Sequence, residues 1–400
     1  MQPRTPKRVR SPSPTKEPPS ASARPKQARL PSPTEEQPSL TPELSLPEQP
    51  PPTHELSLPL PPGFAFAEAV CSYGYFALPP NVWHPAGVDR PADEGALVRP
   101  LRFGADLEHA ALVRVSVSAV GATTATATAA CEDDERDDDA SDDRRRVAII
   151  AVLRSSAPLA RSGADGAQLI AQVRRVLRVE LDLGAFWAKH PAAAARGWGR
   201  TYRSPTLFED MVKTLTNCNM RWGGTVDMNR KLCAALGTPL GAFPTPREVA
   251  EAGAERLRAR CRLGYRAVWV HALAVDVAAA RLDLDALGAL PPARLVDAVR
   301  GLAGFGPFAS NNLLHLCGHF EAFPYDTETV RLWREEKGGC EDRADAERKA
   351  RLHYAHLAPY QWQGYWFDLW RNYERRNGAE ATRWGDFGAV AANFSGNKKP

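Results

Sequence analysis

The sequence predicts an α+β protein in which a small antiparallel β domain precedes a helical domain. Two observations support this class. Short β-compatible runs, one of them alternating with period two at residues 113–118, occur before residue 160. From about residue 167 onward, apolar residues recur at helical spacing between capping signals. The 400 residues, 44% of them hydrophobic, are enough for two or three domains with a substantial core.

Residues 1–58 are predicted to be a disordered, basic tail. Of the 35 prolines, 16 lie in the first 60 residues, among Ser, Thr and Glu, and such a segment cannot bury a core. Order is expected to begin near Leu60. The cluster Lys7-Arg8-Val9-Arg10 could serve as a nuclear address, so the nucleus is the expected location, although a solvated tail has the same composition.

Residues 59–165 are predicted to form the antiparallel β domain. Residues 64–120 have the pattern of strands, and a more buried strand is expected at 147–153. The simplest arrangement is a hairpin with a disordered insertion at about 121–146. The insertion contains an acidic block, 132–143, which is either a tolerated loop expansion or a segment that mimics nucleic acid or regulates binding.

Residues 166–390 are predicted to be helical, and residues 391–400 to be a second tail. Ser204-Pro205 predicts the start of a helix that runs to about Cys218, and Thr245-Pro-Arg-Glu248 is a capping box. An apolar stripe at helical spacing follows Gly264; it consists of Ala267, Val270, Ala274 and Val277. Gly237 is expected to end a helix, and further helices are expected at 291–302, 307–318, 327–337, 343–356 and 360–375.

The charge distribution favours a polyanionic partner. The net charge of +4 combines +7 at residues 1–30, −5 at 31–60, −8 at 132–143 and +10 over the rest. Seven dispersed cysteines without a CxxC pair argue against a zinc ribbon or a disulfide framework and fit a reducing compartment. No apolar run approaches the ~18 residues of a membrane span, so no membrane partner is expected.

A tight-turn signal, Leu302-Ala-Gly304-Phe305-Gly306-Pro-Phe308, lies between two helical patterns. Two glycines that flank one apolar residue allow a turn with positive φ, and Phe305 is expected to anchor that turn in the core. Backbone N–H groups at the start of the following helix can then bind a phosphate. The motif also fits an ordinary corner between helices that binds no ligand.

Asp326 is the candidate catalytic residue. Its simplest role is that of a helix N-cap. A carboxylate at the mouth of a cleft could also activate water, or stabilise the positive charge on a sugar that loses its base. A base must leave the DNA stack before such chemistry can occur.

With these motifs, the sequence resembles the helix-hairpin-helix (HhH-GPD) DNA glycosylase superfamily, near its 8-oxoguanine and alkylbase glycosylase branch. The resemblance covers about residues 60–390 and is strongest over 200–375. It implies a β domain followed by a two-lobed helical domain, with Asp326 as the essential aspartate. We therefore expect a monomeric base-excision-repair enzyme that acts on double-stranded DNA with a damaged base.

The resemblance also assigns DNA contacts. Thr216-Asn217-Cys218-Asn219 matches a segment whose last Asn fills the gap left by the flipped base. Gly264-Tyr265-Arg266-Ala267 matches an element in which the Tyr wedges into the duplex and the Arg reads the unpaired opposite base. Alone, this second pattern also fits a helix start with a packed aromatic and an exposed Arg.

The hairpin match assigns phosphate binding to Gly304, Phe305, Gly306 and Phe308, with a monovalent cation as a possible mediator. At Phe308, bifunctional relatives have a lysine that forms a Schiff base, which Phe cannot form. The alkylbase branch has an aromatic residue there and uses water. The resemblance therefore implies a monofunctional DNA N-glycosylase without AP lyase activity. Position 224, where oxoguanine enzymes have a second Arg, is Gly224 here.

The aromatic segment 358–370 predicts a base pocket. The resemblance implies that this helix lines the pocket, where an electron-poor base stacks on aromatic faces, although core packing explains part of the pattern. The pocket candidates are Phe308, Tyr360, Trp362 and Tyr365. The spacing of His315 and His319 suits a metal ion, but no third ligand is evident. We expect no metal, no iron–sulfur cluster and no other cofactor.

Two alternatives to the enzyme remain open. One is a catalytically silent protein that binds DNA through the same hairpin. The other is a ribosomal or RNA-associated role for the basic body of the chain.

Overall fold

Within the described residues, the strands of an antiparallel sheet and two short helical segments come first, and longer helices follow. The computed structural model describes residues 52–87, 94–119, 146–159, 163–236, 238–322 and 324–385. The strands are His54–Pro59 (β1), Val82–His84 (β2), Ala96–Phe103 (β3), His109–Ala119 (β4) and Arg146–Ser155 (β5). They lie in the order β1-β5-β4-β3-β2, and every neighbouring pair is antiparallel. The predicted α+β class is therefore confirmed.

The alternation of side chains determines which face of the sheet packs on the core. In β5, Ala148, Ile150 and Val152 are buried and the residues between them are less so, as period-two geometry requires. β4 pairs with β5, with Val113 opposite Val152, so the predicted partnership of these two strands is confirmed. The acidic block between them lies outside the described residues.

The predicted start of order is wrong by a few residues. Strand β1 begins at His54, because Leu56 and Leu58 alternate with polar residues and are buried when β1 pairs with β5. Residues 64–120 are also not strands throughout. Phe66–Val70 is a helix (α1) and Gly74–Ala77 is a 3₁₀ turn. The basic cluster at residues 7–10 and the second tail, 391–400, lie outside the described residues.

The remaining helices follow the sheet in chain order. They are Ala164–Leu177 (α2), Gly184–Lys189 (α3), Pro191–Arg196 (α4), Leu207–Asn217 (α5), Trp222–Ala235 (α6), Pro246–Cys261 (α7), Arg266–Ala278 (α8), Leu284–Gly288 (α9), Pro292–Arg300 (α10), Pro307–Cys317 (α11), Thr327–Glu336 (α12), Arg343–His353 (α13) and Gln361–Asn377 (α14). The five helices predicted after residue 290 are thus found within a few residues of their expected bounds. None of the helices in the described ranges is long and apolar enough to cross a membrane.

Capping chemistry explains where two of these helices begin. Thr245 and Glu248 make both bonds of the predicted capping box, at 3.2 and 2.7 Å, at the start of α7. The predicted cap at Ser204-Pro205 is wrong. Thr206 caps α5 instead, because its hydroxyl accepts the Glu209 N–H, while the Ser204 N–H binds the Asp210 carboxylate.

Most of the helices pack in one of two large hydrophobic cores, while α3 and α4 form a smaller cluster with Trp198 and Phe367. One core joins the sheet to α2 and to α12–α14, and includes Phe76 and Trp370. The other is built from α5–α11, and includes Met211 and Leu313. A buried ionic group, in which Glu209 of α5 binds Arg99 of β3 at 3.0 Å and Lys213 at 2.7 Å, joins the sheet to the second core. A large cavity opens between these two cores.

Candidate functional site

The cavity between the two cores has a volume of about 680 Å³. Several parts of the chain line it: residues 73–75 before β2, the loop 217–222, the hairpin around Gly304 with the first turns of α11, α12 with the residues just before it, α14, and single residues of α8 and α13. Among the predicted site residues, Asn219, Gly304, Gly306, Phe308, Asp326 and Tyr365 line this cavity. The fold therefore brings together residues that are up to about 150 positions apart in the sequence.

The hairpin has one glycine that its backbone requires and one that it does not. Gly304 has φ +87°, and a Cβ there would lie 2.5 Å from the Trp269 ring, so no other residue fits. Gly306 has φ −73°, and a Cβ there would meet open space. Its lack of a side chain leaves the N-terminus of α11 open to close approach by a ligand. Phe305 is buried in the second core, as its predicted anchoring role requires.

Asp326 caps α12 and also lines the cavity. Its Oδ1 accepts the N–H groups of Glu328, at 2.9 Å, and Thr329, at 3.2 Å. Both capping bonds use Oδ1, so Oδ2 is available to a water or a substrate. Burial, followed by the charge of Glu328, raises the pKa of Asp326 to about 6, although the capping N–H groups and Arg343 oppose this shift. The N-cap and catalytic interpretations of Asp326 are thus compatible.

A second carboxylate in the cavity was not predicted. Glu328 Oε2 accepts bonds from Arg331 Nε at 2.8 Å and from the Tyr373 hydroxyl at 2.7 Å. Both partners also line the cavity. These two bonds hold the Glu328 carboxylate on the first turn of α12, two residues after Asp326. The short spacing between Asp326 and Glu328 was the only signal in the sequence for this second carboxylate.

Polar groups from distant parts of the chain also form a wall of the cavity. The Tyr73 hydroxyl donates to Asn312 Oδ1 at 2.8 Å, and Asn312 Nδ2 donates to Tyr75 at 3.1 Å and to Thr214 at 3.1 Å. Tyr73, Tyr75 and Asn312 line the cavity. Sequence analysis missed this group because its members lie in three segments with no shared motif.

Two of the four predicted pocket residues lie elsewhere. Trp362 is 1% exposed and stacks on His315, with ring centroids 3.8 Å apart. Tyr360 precedes α14 and packs near Phe186. The cavity face of α14 starts one turn later, and its members are Tyr365, Trp366, Leu369, Trp370 and Tyr373. The prediction for Trp362 and Tyr360 is corrected because the N-terminal turn of α14 faces the core.

The two histidines that have metal-ligand spacing have other partners. His315 is buried, which lowers its pKa, and its Nε2 lies 3.3 Å from Asn312 Oδ1. His319 Nε2 lies 3.0 Å from the Leu290 carbonyl. Among the described residues, no group of three or more metal-ligating side chains comes together.

The predicted DNA-contact residues outside the cavity differ in exposure. Tyr265 is 50% exposed, next to the cavity-lining Trp269, whose ring centroid is 4.9 Å away. Arg266 is 3% exposed, and its guanidinium binds the main-chain carbonyls of Cys218 and Asn219. Arg266 is therefore not the exposed arginine of the simpler interpretation. Its guanidinium also does not project outward, as that of an arginine that reads a base would.

Solved structures of DNA glycosylases share this fold. A 3-methyladenine DNA glycosylase from Archaeoglobus fulgidus has a TM-score of 0.54 at 15% identity, over 80% of this chain and 98% of that chain. An 8-oxoguanine glycosylase/lyase from Clostridium acetobutylicum has 0.50 at 13% identity, over 79% and 96%. The structure of MBOgg1 in complex with a low-affinity DNA ligand has 0.51 at 15% identity, over 80% and 96%. No protein-family model and no curated protein sequence matches the chain.

Proposed function

We propose that the protein is a DNA glycosylase that receives a flipped, damaged base in its cavity and hydrolyses the N-glycosidic bond. One observation carries the proposal: Asp326, with one free carboxylate oxygen, shares an aromatic cavity with the open helix start at Gly306. The fold supports the same class of activity, since it is shared with known glycosylases. The net charge of +10 on the body of the chain favours DNA as the partner.

Each part of the site has a place in this mechanism. Backbone N–H groups at the start of α11 hold a DNA phosphate near the cavity mouth. Partly exposed aromatic rings that line the cavity, such as Phe308 and Trp366, stack on the base. Asp326 Oδ2 then accepts a proton from water, or stabilises the oxocarbenium-like sugar as the base leaves. A pKa of about 6 keeps this carboxylate mostly ionised at neutral pH.

We also propose that water, rather than an amine, attacks the sugar. No lysine is among the described residues that line the cavity, and Phe308 is at the position where the resemblance places a nucleophilic lysine. Lys213 is fully buried and binds Glu209 at 2.7 Å, so it is not accessible to a substrate. This arrangement supports a monofunctional enzyme.

The test is an excision assay on duplexes that each contain one damaged base, with Asp326→Asn as the variant. We expect the variant to excise at least about 100-fold more slowly, which is typical for loss of a general acid–base group, with unchanged affinity for the duplex. Asp342→Asn is the matched control, because Asp342 also caps a helix, α13, by accepting the Asp345 N–H, and does not line the cavity.

The outcomes separate the competing functions. Excision by Asp326→Asn at the wild-type rate would disprove the mechanism. If the wild type excises none of a broad panel of lesions but binds abasic-site DNA more tightly than structured RNA, the catalytically silent DNA-binding alternative is correct. Tighter binding to structured RNA would favour the RNA-associated role.

A further inference from the structure

One guanidinium group bonds to the Asn219 turn and lies over the Tyr265 ring. Arg266 Nε donates to the Cys218 carbonyl at 3.1 Å, and Nη2 donates to the carbonyls of Cys218 and, at 3.2 Å, Asn219. The Arg266 Cζ atom also lies 4.5 Å from the centroid of the Tyr265 ring, within cation–π range. Arg266 therefore connects the start of α8 to the loop 217–222.

The turn that Arg266 holds has an unfavourable backbone conformation. Asn219 has φ +50°, in the left-handed region that Gly adopts freely and that is uncommon for other residues, although Asn adopts it more readily than most. Hydrogen bonds from a buried guanidinium to the carbonyls of Cys218 and Asn219 can stabilise such a turn. As a result, the side chains of Asn219 and Met220 are exposed at the rim of the cavity.

Met220 is an exposed apolar side chain at this rim. It is 38% exposed and lines the cavity. A Cβ at Gly224 would lie 2.4 Å from Met220 Sδ, so Met220 occupies the space that a side chain at position 224 would need. Flexible, apolar Met is one of the residues that proteins insert between DNA bases.

We propose that Arg266 is a positioning residue that joins Tyr265 to the Asn219–Met220 turn, and that Met220 enters the duplex beside the flipped base. The inference rests on the proposed function. It differs from the role that the resemblance assigns, because two of the guanidinium nitrogens are already bonded to the protein main chain. In this arrangement, Arg266 affects excision of the lesion equally, whichever normal base lies opposite it.

The first experiment measures single-turnover excision of one lesion opposite each of the four normal bases. We expect Arg266→Gln to slow excision opposite all four bases by the same factor, of about tenfold, with unchanged affinity for undamaged duplex. Arg266→Lys retains the charge and should lose less. Arg260→Gln, which removes an exposed arginine from α7, is the matched control. A loss confined to one opposite base would show that Arg266 reads that base, and would overturn the inference.

A second experiment needs no excision. The fluorescence of 2-aminopurine beside an abasic-site analogue reports how strongly the protein unstacks the duplex. We expect Met220→Ala and Arg266→Gln to reduce the fluorescence increase, Met220→Leu to preserve it, and the double variant Met220→Ala/Arg266→Gln to lose little more than either single variant.

The outcomes also separate the inference from the proposed function. Unchanged fluorescence with Met220→Ala, or fully additive losses in the double variant, would contradict the inference. If the wild type excises nothing, the proposed function fails while the fluorescence still tests this role. Thermal unfolding of each variant shows whether that variant still folds. If Arg266→Gln does not fold, the two single variants Met220→Ala and Arg266→Lys decide the outcome.

Discussion

The Tyr73 hydroxyl donates a 2.8 Å hydrogen bond to Asn312 Oδ1, although the two residues are 239 positions apart in the chain. Tyr73 belongs to the segment between α1 and β2, and Asn312 to the helix that follows the hairpin. Both side chains line the cavity. The geometry of the candidate site therefore depends on how the β-sheet region packs against the hairpin helix.

Replacement of Tyr73 by Phe should destabilise the protein. It removes one donor and leaves Asn312 Oδ1 with only the longer contact to His315 Nε2, at 3.3 Å. Loss of one partner of a buried hydrogen bond costs about 1–2 kcal/mol, and the midpoint of urea unfolding should fall accordingly. Tyr360→Phe, outside the cavity, is the control. Equal stability of the two variants would show that the Tyr73 bond contributes no net free energy.

The pKa of Asp326 predicts a pH dependence of stability. Its value of about 6 lies above the ordinary 3.8, so the folded state binds the proton more tightly than the unfolded state. The free energy of unfolding should therefore fall as pH rises from about 4 to about 6, by at most about 3 kcal/mol, with partial solvent contact reducing this figure. Above pH 6 this loss should be complete.

The variant Asp326→Asn isolates this dependence. Asn still caps a helix but does not titrate, so the difference between variant and wild type should grow from pH 4 to pH 6 and then remain constant. This comparison is necessary because burial also raises the pKa of Glu68 to about 6. A difference that does not vary with pH would contradict the raised pKa of Asp326.

Replacement of Glu328 by Gln should move the acid limb of the excision profile to lower pH. The Glu328 charge raises the pKa of Asp326, and its removal allows Asp326 to ionise at lower pH. The readout is the pH at which single-turnover excision is half-maximal, which should be near 6 for the wild type. Glu335→Gln is the control, because Glu335 also binds Arg331 but does not line the cavity. A shift toward higher pH would contradict this electrostatic effect.

Borohydride should trap no covalent complex between the wild-type protein and damaged DNA. Phe308→Lys introduces an amine at the edge of the cavity, and we expect this variant to give a trapped species on gel electrophoresis. The double variant Phe308→Lys/Asp326→Asn tests whether the new adduct depends on the same aspartate. A strong wild-type adduct would identify another amine as the nucleophile and would refute the monofunctional assignment.

The sequence by itself determined those features that arise from neighbouring residues. The turn at Gly304, the N-cap at Asp326, the capping box at Thr245 and the period-two alternation in β4 all depend on backbone bonds or alternation within a few positions. For the same reason the order of a sheet followed by helices was predictable. Ser204-Pro205 failed as a cap because Thr206 offers a competing hydroxyl two residues later.

Only the tertiary structure decided which side chains meet at the cavity. Trp362 and Trp370 share one helix, yet only Trp370 lines the cavity, because the first turn of α14 packs on His315. Arg266 is buried because two carbonyls 47 and 48 residues away accept its hydrogen bonds. Burial and long-range hydrogen bonds depend on how distant segments pack, and no local period of the sequence encodes that packing.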